Sequence, residues 1–168
     1  MEYVHVSHPF PPLWREDSRI LILGSFPSVR SREQKFFYGH PQNRFWKVMA
    51  ALLDAPVPVT VEEKRGLLLD HGIALWDVIA SCDIAGSSDQ SIRNAVPNDL
   101  GMIMEGAQIR QIFANGALAG RLYEKHQAPV LGRGIEVLPS TSPANAAWTL
   151  DRLTDRWRVI LNCPEAGS

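Results

Sequence analysis

The run Ile20-Leu21-Ile22-Leu23, closed by Gly24, limits what this chain can fold into more than any other stretch. A short unbroken apolar run has no polar face to turn to water, so it reads as a strand buried on both sides, as in a parallel sheet. Parallel neighbours need crossover connections of a dozen or more residues, usually helical, and the rest of the sequence offers them. Phe45, Val48, Met49, Leu52 and Leu53 recur at helical spacing. Thr60 and Glu63 form a T-x-x-E capping box opening a helix that Gly72 ends. Residues 73–80, 111–114 and 135–139 read as the second, third and fourth strands. Asn98 is placed to cap a helix over residues 99–106. Gly116 starts another over 117–127, and a final helix carries Trp148, Leu150 and Leu153. The expectation is α/β: a three-layer α/β/α sandwich with a short, mainly parallel four-stranded central sheet, in a single domain spanning residues 1–168.

With 45% hydrophobic residues in 168, the chain can build a core without staples. Cys82 and Cys163 form no C-x-x-C pair, so neither a zinc site nor a disulfide framework is expected, and buried thiols suit a reducing compartment. The net charge of -1 gives no overall attraction to nucleic acid, although one basic face would suffice for it. No stretch is apolar enough to span a bilayer, and Met1-Glu2-Tyr3-Val4-His5 lacks the basic start of a signal peptide, so a cytoplasmic protein is expected. Residues 8–14, with three prolines, read as an irregular opening segment.

Ligands of open parallel sheets sit beyond the carboxyl ends of the strands. Gly24-Ser25-Phe26, Asn115-Gly116 and Ser140-Thr141-Ser142 leave three strand ends, and Asp77 lies inside the second strand near its exit, so one pocket built from them is expected. Residues 25–42 form a long loop of the kind that usually carries function. Through Lys47 this stretch sets Arg30, Arg32, Lys35, Arg44 and Lys47 against Glu33 alone, interleaved with Phe36, Phe37, Tyr38, Phe45 and Trp46. That mixture suits phosphates and bases; it equally suits a solvated basic face above an aromatic core. Asn43 either holds a water by its amide oxygen or caps the helix that follows. His40 titrates in a useful range for proton transfer but sits before Pro41, where a structural role is as good a reading. Asp77, among Leu75, Trp76, Val78 and Ile79, is a buried charge that must be paired, neutralised or used. Asp83 and Asp89, around Gly86-Ser87-Ser88, read as solvated turn residues. Residues 140–145 open a helix whose first amides could hold an anion, or are simply its capped start. No P-loop, dinucleotide fingerprint, zincin or nucleophile-elbow pattern is present.

Taken in order, three motifs resemble the uracil-DNA glycosylase superfamily across residues 20–153. Gly24-Ser25-Phe26-Pro27-Ser28 resembles its first motif. His40-Pro41 and Asn43-Arg44-Phe45-Trp46-Lys47 resemble a run of the mismatch-specific uracil/thymine glycosylases. Val137-Leu138-Pro139-Ser140-Thr141-Ser142-Pro143 resembles the last motif. Ser25 and Phe26 stand where many uracil enzymes carry a water-directing Asp or Asn, and Ser140 stands where many carry His. Gly-Ser-Phe-Pro with Tyr-Gly-His-Pro-x-Asn instead resembles the hypoxanthine-DNA (deoxyinosine) glycosylase branch.

That resemblance implies a monofunctional enzyme hydrolysing the N-glycosidic bond of a deaminated base in DNA, hypoxanthine first and uracil second, in base excision repair. Asn43 becomes the catalytic amide. Gly24, Ser25, Phe26, Tyr38, Asp77, Asn115 and Ser140 form the base pocket, with Tyr38 stacking on the flipped base and Asp77 reading it. Ser28, Arg30, Arg44, Ser142 and Asn145 contact the DNA. No metal, cofactor, membrane or obligate protein partner is implied, and the expected state is a monomer. The rivals are a mainly uracil-specific enzyme of the same fold, a catalytically silent DNA-binding module, and an unrelated nucleotide-binding α/β protein.

Overall fold

The structure, a computed structural model, describes residues 2–85 and 91–162. Its strands are β1 (Val4–Ser7), β2 (Ile20–Gly24), β3 (Ile73–Asp77), β4 (Ile79–Ile84), β5 (Arg93–Pro97), β6 (Gln111–Asn115) and β7 (Glu136–Leu138). Its helices are α1 (Val29–Gln34), α2 (Phe45–Leu52), α3 (Val61–Leu69), α4 (Gly101–Gly106), α5 (Ala117–His126), α6 (Ala128–Leu131) and α7 (Leu150–Trp157), followed by a 3-10 turn at Arg158–Asn162.

Strands β3, β2, β6 and β7 lie side by side in that order, all parallel. The whole of β2 is buried, and its side chains alternate between two cores. Ile20 and Ile22 pack with Phe45, Met49, Leu68 and Trp157 from α2, α3 and α7. Leu21 and Leu23 pack with Ile79, Cys82, Ile103 and Tyr123 from β4, α4 and α5. Burying each such aliphatic side chain stabilises the fold by roughly 1.5–3 kcal/mol, which is why the uninterrupted apolar run sits at the centre. The capping box holds as expected, with Glu63 N–H donating to Thr60 and the Glu63 carboxylate accepting from Thr60 N–H. Among the described residues no helix is long and apolar enough to cross a membrane.

Five local expectations are corrected. The strand expected over residues 73–80 divides at Val78, whose N–H donates to the Gly24 carbonyl while Ile79 N–H donates to Ser25. Beyond that kink β4 joins an antiparallel sheet of order β1-β4-β5, so a strand over Val4–Ser7, which the sequence reading does not predict, precedes the irregular segment 8–14. An apolar run cannot show that its pairing partners change midway. Asp83 is therefore a strand residue bonded to His5 and Asn94, while Asp89 and Gly86-Ser87-Ser88, like Cys163, lie outside the described residues. Asn98 caps no helix: it is buried, and its amide donates to the carbonyls of Asp77 and Ile79, pinning the kink, while Asp99 takes the Gly101 N–H. The long loop after β2 contains α1, capped by Ser28 and ended by Lys35 in the left-handed region. Finally, residues 140–145 open no helix. The chain turns until Thr149 caps α7, which leaves no helix terminus at the loop to hold an anion.

Candidate active site

A cavity of about 420 Å³ opens at the carboxyl ends of the parallel strands, within the usual size of a small-molecule site, roughly 300–1,000 Å³. Gly24, Asp77 and Asn115 end three of those strands, and Ser140 follows the fourth. The parallel register sets Gly24 beside Asp77. A Cβ on Gly24 would lie 2.4 Å from Asp77 Oδ1 and 3.3 Å from the Tyr38 hydroxyl, so glycine keeps these two groups together.

This floor is buried and chemically open. Asp77 Oδ2 lies 2.7 Å from Nε2 of His8, whose Nδ1 is 2.8 Å from the Phe10 carbonyl. The Tyr38 backbone has φ 53°, an uncommon conformation for an aromatic residue and one that clusters at functional sites. Its ring stacks on Phe45 at 4.2 Å, leaving its other face and its hydroxyl for the cavity. That hydroxyl is buried without a hydrogen-bond partner. Burial, reinforced by the Asp77 carboxyl, holds its pKa far above the usual value, with only a weak opposing pull from Asn115. An unmatched buried hydroxyl costs about 1–3 kcal/mol. It persists here where a ligand would supply the partner.

The wall is the reverse, because its polar groups are matched to one another. Asn115 donates by Nδ2 to the Thr141 hydroxyl and accepts the Thr141 N–H. Thr141, fully buried, donates onward to Asn43 Oδ1 at 2.8 Å. The same Oδ1 accepts Phe45 N–H at 2.9 Å. Both lone pairs of the Asn43 oxygen are thus engaged, which corrects the expectation that it holds a water. The amide NH₂ bonds to no described residue, and Asn43 lines the cavity. The cap expectation is half right: Asn43 takes an N–H at the start of α2 but also anchors the far wall.

The remaining expected residues divide. Ser25, Phe26, Ser28, Arg30 and Ser142 line the cavity, Arg30 being exposed at its lip. Ser28 is engaged as the α1 cap, bonded to the N–H and hydroxyl of Ser31. Arg44 and Asn145 do not line it. The Arg44 guanidinium donates to the carbonyls of Thr141, Ser142, Asn145 and Trp148, so it clamps the loop. Asn145 turns inward to donate to the Ser140 carbonyl. His40 lines the cavity, with a ring nitrogen accepting Gln42 N–H. Sequence reasoning missed His8; it placed Thr141 in a pocket loop without foreseeing its bonds to Asn115 and Asn43. The signal for His8 was indirect, since a buried Asp77 demanded a partner without naming it.

The profile of the uracil DNA glycosylase superfamily matches residues 11–162. A "hypoxanthine DNA glycosylase" of Methanosarcina acetivorans is 35% identical over 160 residues, covering 92% of this chain and 98% of that protein. A protein of the same name from Methanosarcina barkeri is 30% identical over 141 residues, covering 81% and 86%. An NMR structure from M. acetivorans, described as a candidate uracil DNA glycosylase, superimposes with a TM-score of 0.77 at 33% identity, over 90% of this chain and 93% of that one. The chain belongs to the uracil DNA glycosylase superfamily. Within it, this fold and these relatives define a DNA glycosylase, an enzyme whose substrate is DNA.

Proposed function

We propose that this glycosylase removes hypoxanthine from deoxyinosine in DNA, flipping the base into the cavity and hydrolysing its N-glycosidic bond with water. The observation that carries this reading is the similarity, over nearly the full length of both chains, to a protein named for that base. Bond cleavage develops an oxocarbenium-like sugar and a base that leaves with negative charge. Groups that bind the leaving base more tightly as charge develops accelerate the reaction, and a water then suffices as nucleophile. Asn43 is the catalytic residue in this reading. With its oxygen engaged by Phe45 and Thr141, it donates through Nδ2 to the leaving base instead of holding the water.

The open face of Tyr38 stacks on the base, and its hydroxyl, in the plane of the ring, donates to a polar group of the bound nucleotide beside the base rather than to the stacked base itself. Asp77 Oδ1 accepts a ring N–H. Gly24, Ser25, Phe26, Asn115 and Ser140 shape the pocket. Arg30 at the lip and Ser142 opposite contact phosphates, whereas Ser28, Arg44 and Asn145 hold the walls. Uracil is the second substrate, in keeping with the description of the solved relative.

Single-turnover excision on duplexes carrying deoxyinosine, deoxyuridine, deoxyxanthosine or a thymine mismatch tests this. Deoxyinosine is expected to react fastest, with strand breakage only after alkali. Faster excision of uracil, or none of any base, overturns the assignment.

A further inference from the structure

His8 stands just before the segment that the superfamily profile covers, residues 11–162, yet its ring reaches the floor of the cavity. The His8 and Asp77 side chains are only 4% and 5% exposed. The His8 ring lies among Phe10, Phe26, Phe37 and Trp76, at centroid distances of 4.5 to 6.3 Å. Little water competes there, so the hydrogen-bond inventory must close within the protein. A carbonyl only accepts, so the contact with Phe10 requires a hydrogen on Nδ1. The 2.7 Å contact between Nε2 and Asp77 Oδ2 then contains one further proton. On Nε2 that proton makes an ion pair; on Oδ2 it makes two neutral groups. In both placements the pair has no net charge, and Oδ1 carries no hydrogen.

On the reading that the cavity receives a flipped deaminated base, we propose that His8 is a positioning residue: it holds Asp77 so that Oδ1 is a fixed acceptor in a neutral pair, and so selects bases with a ring N–H. Deamination converts the N1 lone pair of adenine into the N1–H of hypoxanthine, so this acceptor welcomes the damaged base and repels the normal one. The neutral pair also leaves no bare carboxylate to oppose the charge on the departing base. Nothing in this role requires His8 to touch the base.

The test pairs His8→Gln, which keeps an N–H for Oδ2 but removes the ring, with Asp77→Asn. His8→Gln is expected to slow single-turnover excision of hypoxanthine by up to roughly a hundredfold, the scale of a misplaced active-site group. Inhibition by free hypoxanthine over free adenine weakens in parallel, while the variant remains folded with a moderate loss of thermal stability from the lost ring packing and Phe10 bond. In an Asp77→Asn background His8→Gln adds little further, because its action runs through Asp77. A downfield proton resonance from the Nε2–Oδ2 bridge, present in the wild type and lost in either variant, reads the pair independently of activity. Wild-type protein that leaves every duplex intact overturns the glycosylase reading and this role with it. An active wild type whose His8→Gln variant keeps the same rate and the same preference for hypoxanthine overturns the role of His8 alone. So does a purely additive double variant.

Discussion

The wall and floor of the same cavity are built on opposite principles. Along the wall, Arg44 donates to four carbonyls, and Asn115, Thr141 and Asn43 form a chain of matched donors and acceptors. On the floor, the Tyr38 hydroxyl has no partner, a carboxyl is buried beside it, and the Tyr38 backbone sits in a rarely used conformation. Internally matched polar groups make a rigid surface, whereas unmatched ones cost stability and are available to a ligand. The difference teaches that polarity alone does not mark a functional residue. Arg44 and Asn145 look as suitable for DNA as Arg30 does, yet their hydrogen bonds belong to the loop.

Wall variants should therefore lose stability, and floor variants that remove an unmatched polar group should lose activity with little or even opposite change in stability. Arg44→Ala has the largest expected effect on folding. It strands several carbonyls and removes charge-assisted hydrogen bonds, costing at least about 3 kcal/mol by denaturant unfolding; a loss below about 1 kcal/mol breaks the clamp assignment. Gly24→Ala comes next. Its Cβ collides with Asp77 Oδ1, an overpacking cost of about 1–3 kcal/mol, and displacement of the carboxyl should abolish most excision. An active, stable Gly24→Ala protein shows that Asp77 can move without consequence.

Tyr38→Phe removes the unmatched hydroxyl and should raise stability by about 1 kcal/mol while slowing excision, the signature of a group kept for a ligand. Its pH dependence has a definite sign. Because the folded-state pKa is raised, the unfolded chain loses the Tyr38 proton first. The stabilisation is fully present below pH about 10 and declines as pH rises beyond it. Tyr38→Phe should lessen that alkaline decline in thermal unfolding; an unchanged profile contradicts a buried, neutral hydroxyl. Arg30→Ala is the mildest. Exposed at the lip, it should leave stability within about 0.5 kcal/mol yet weaken binding to all duplexes alike and flatten the salt dependence. A loss confined to one base contradicts a phosphate role.

The parallel sheet was legible in the sequence because β2 declares itself locally: four apolar residues and a glycine allow few alternatives. The capping box at Thr60 and Glu63 is equally local. The residues lining the cavity were legible through the motif loops at strand ends. What stayed hidden depends on distant pairing. His8 meets Asp77 across 69 positions, and Arg44 meets its carbonyls across 97 to 104. No periodicity encodes such contacts, and the irregular, proline-rich segment that carries His8 gives no sign of where its ring packs. The orientation of the Asn43 amide was hidden for the same reason, since Thr141, which fixes it, arrives 98 residues later.

Asn43 joins the two regions: its oxygen belongs to the wall and its nitrogen lies open to the cavity. Asn43→Asp separates them. The aspartate keeps an oxygen for Phe45 N–H and the Thr141 hydroxyl, while the donor is replaced by a charge that opposes the leaving base. The decisive measurement is single-turnover excision of hypoxanthine by Asn43→Asp beside its thermal unfolding. The account predicts near wild-type stability with a rate lowered by roughly 10²–10³-fold; a stable Asn43→Asp protein that excises hypoxanthine at the wild-type rate contradicts it.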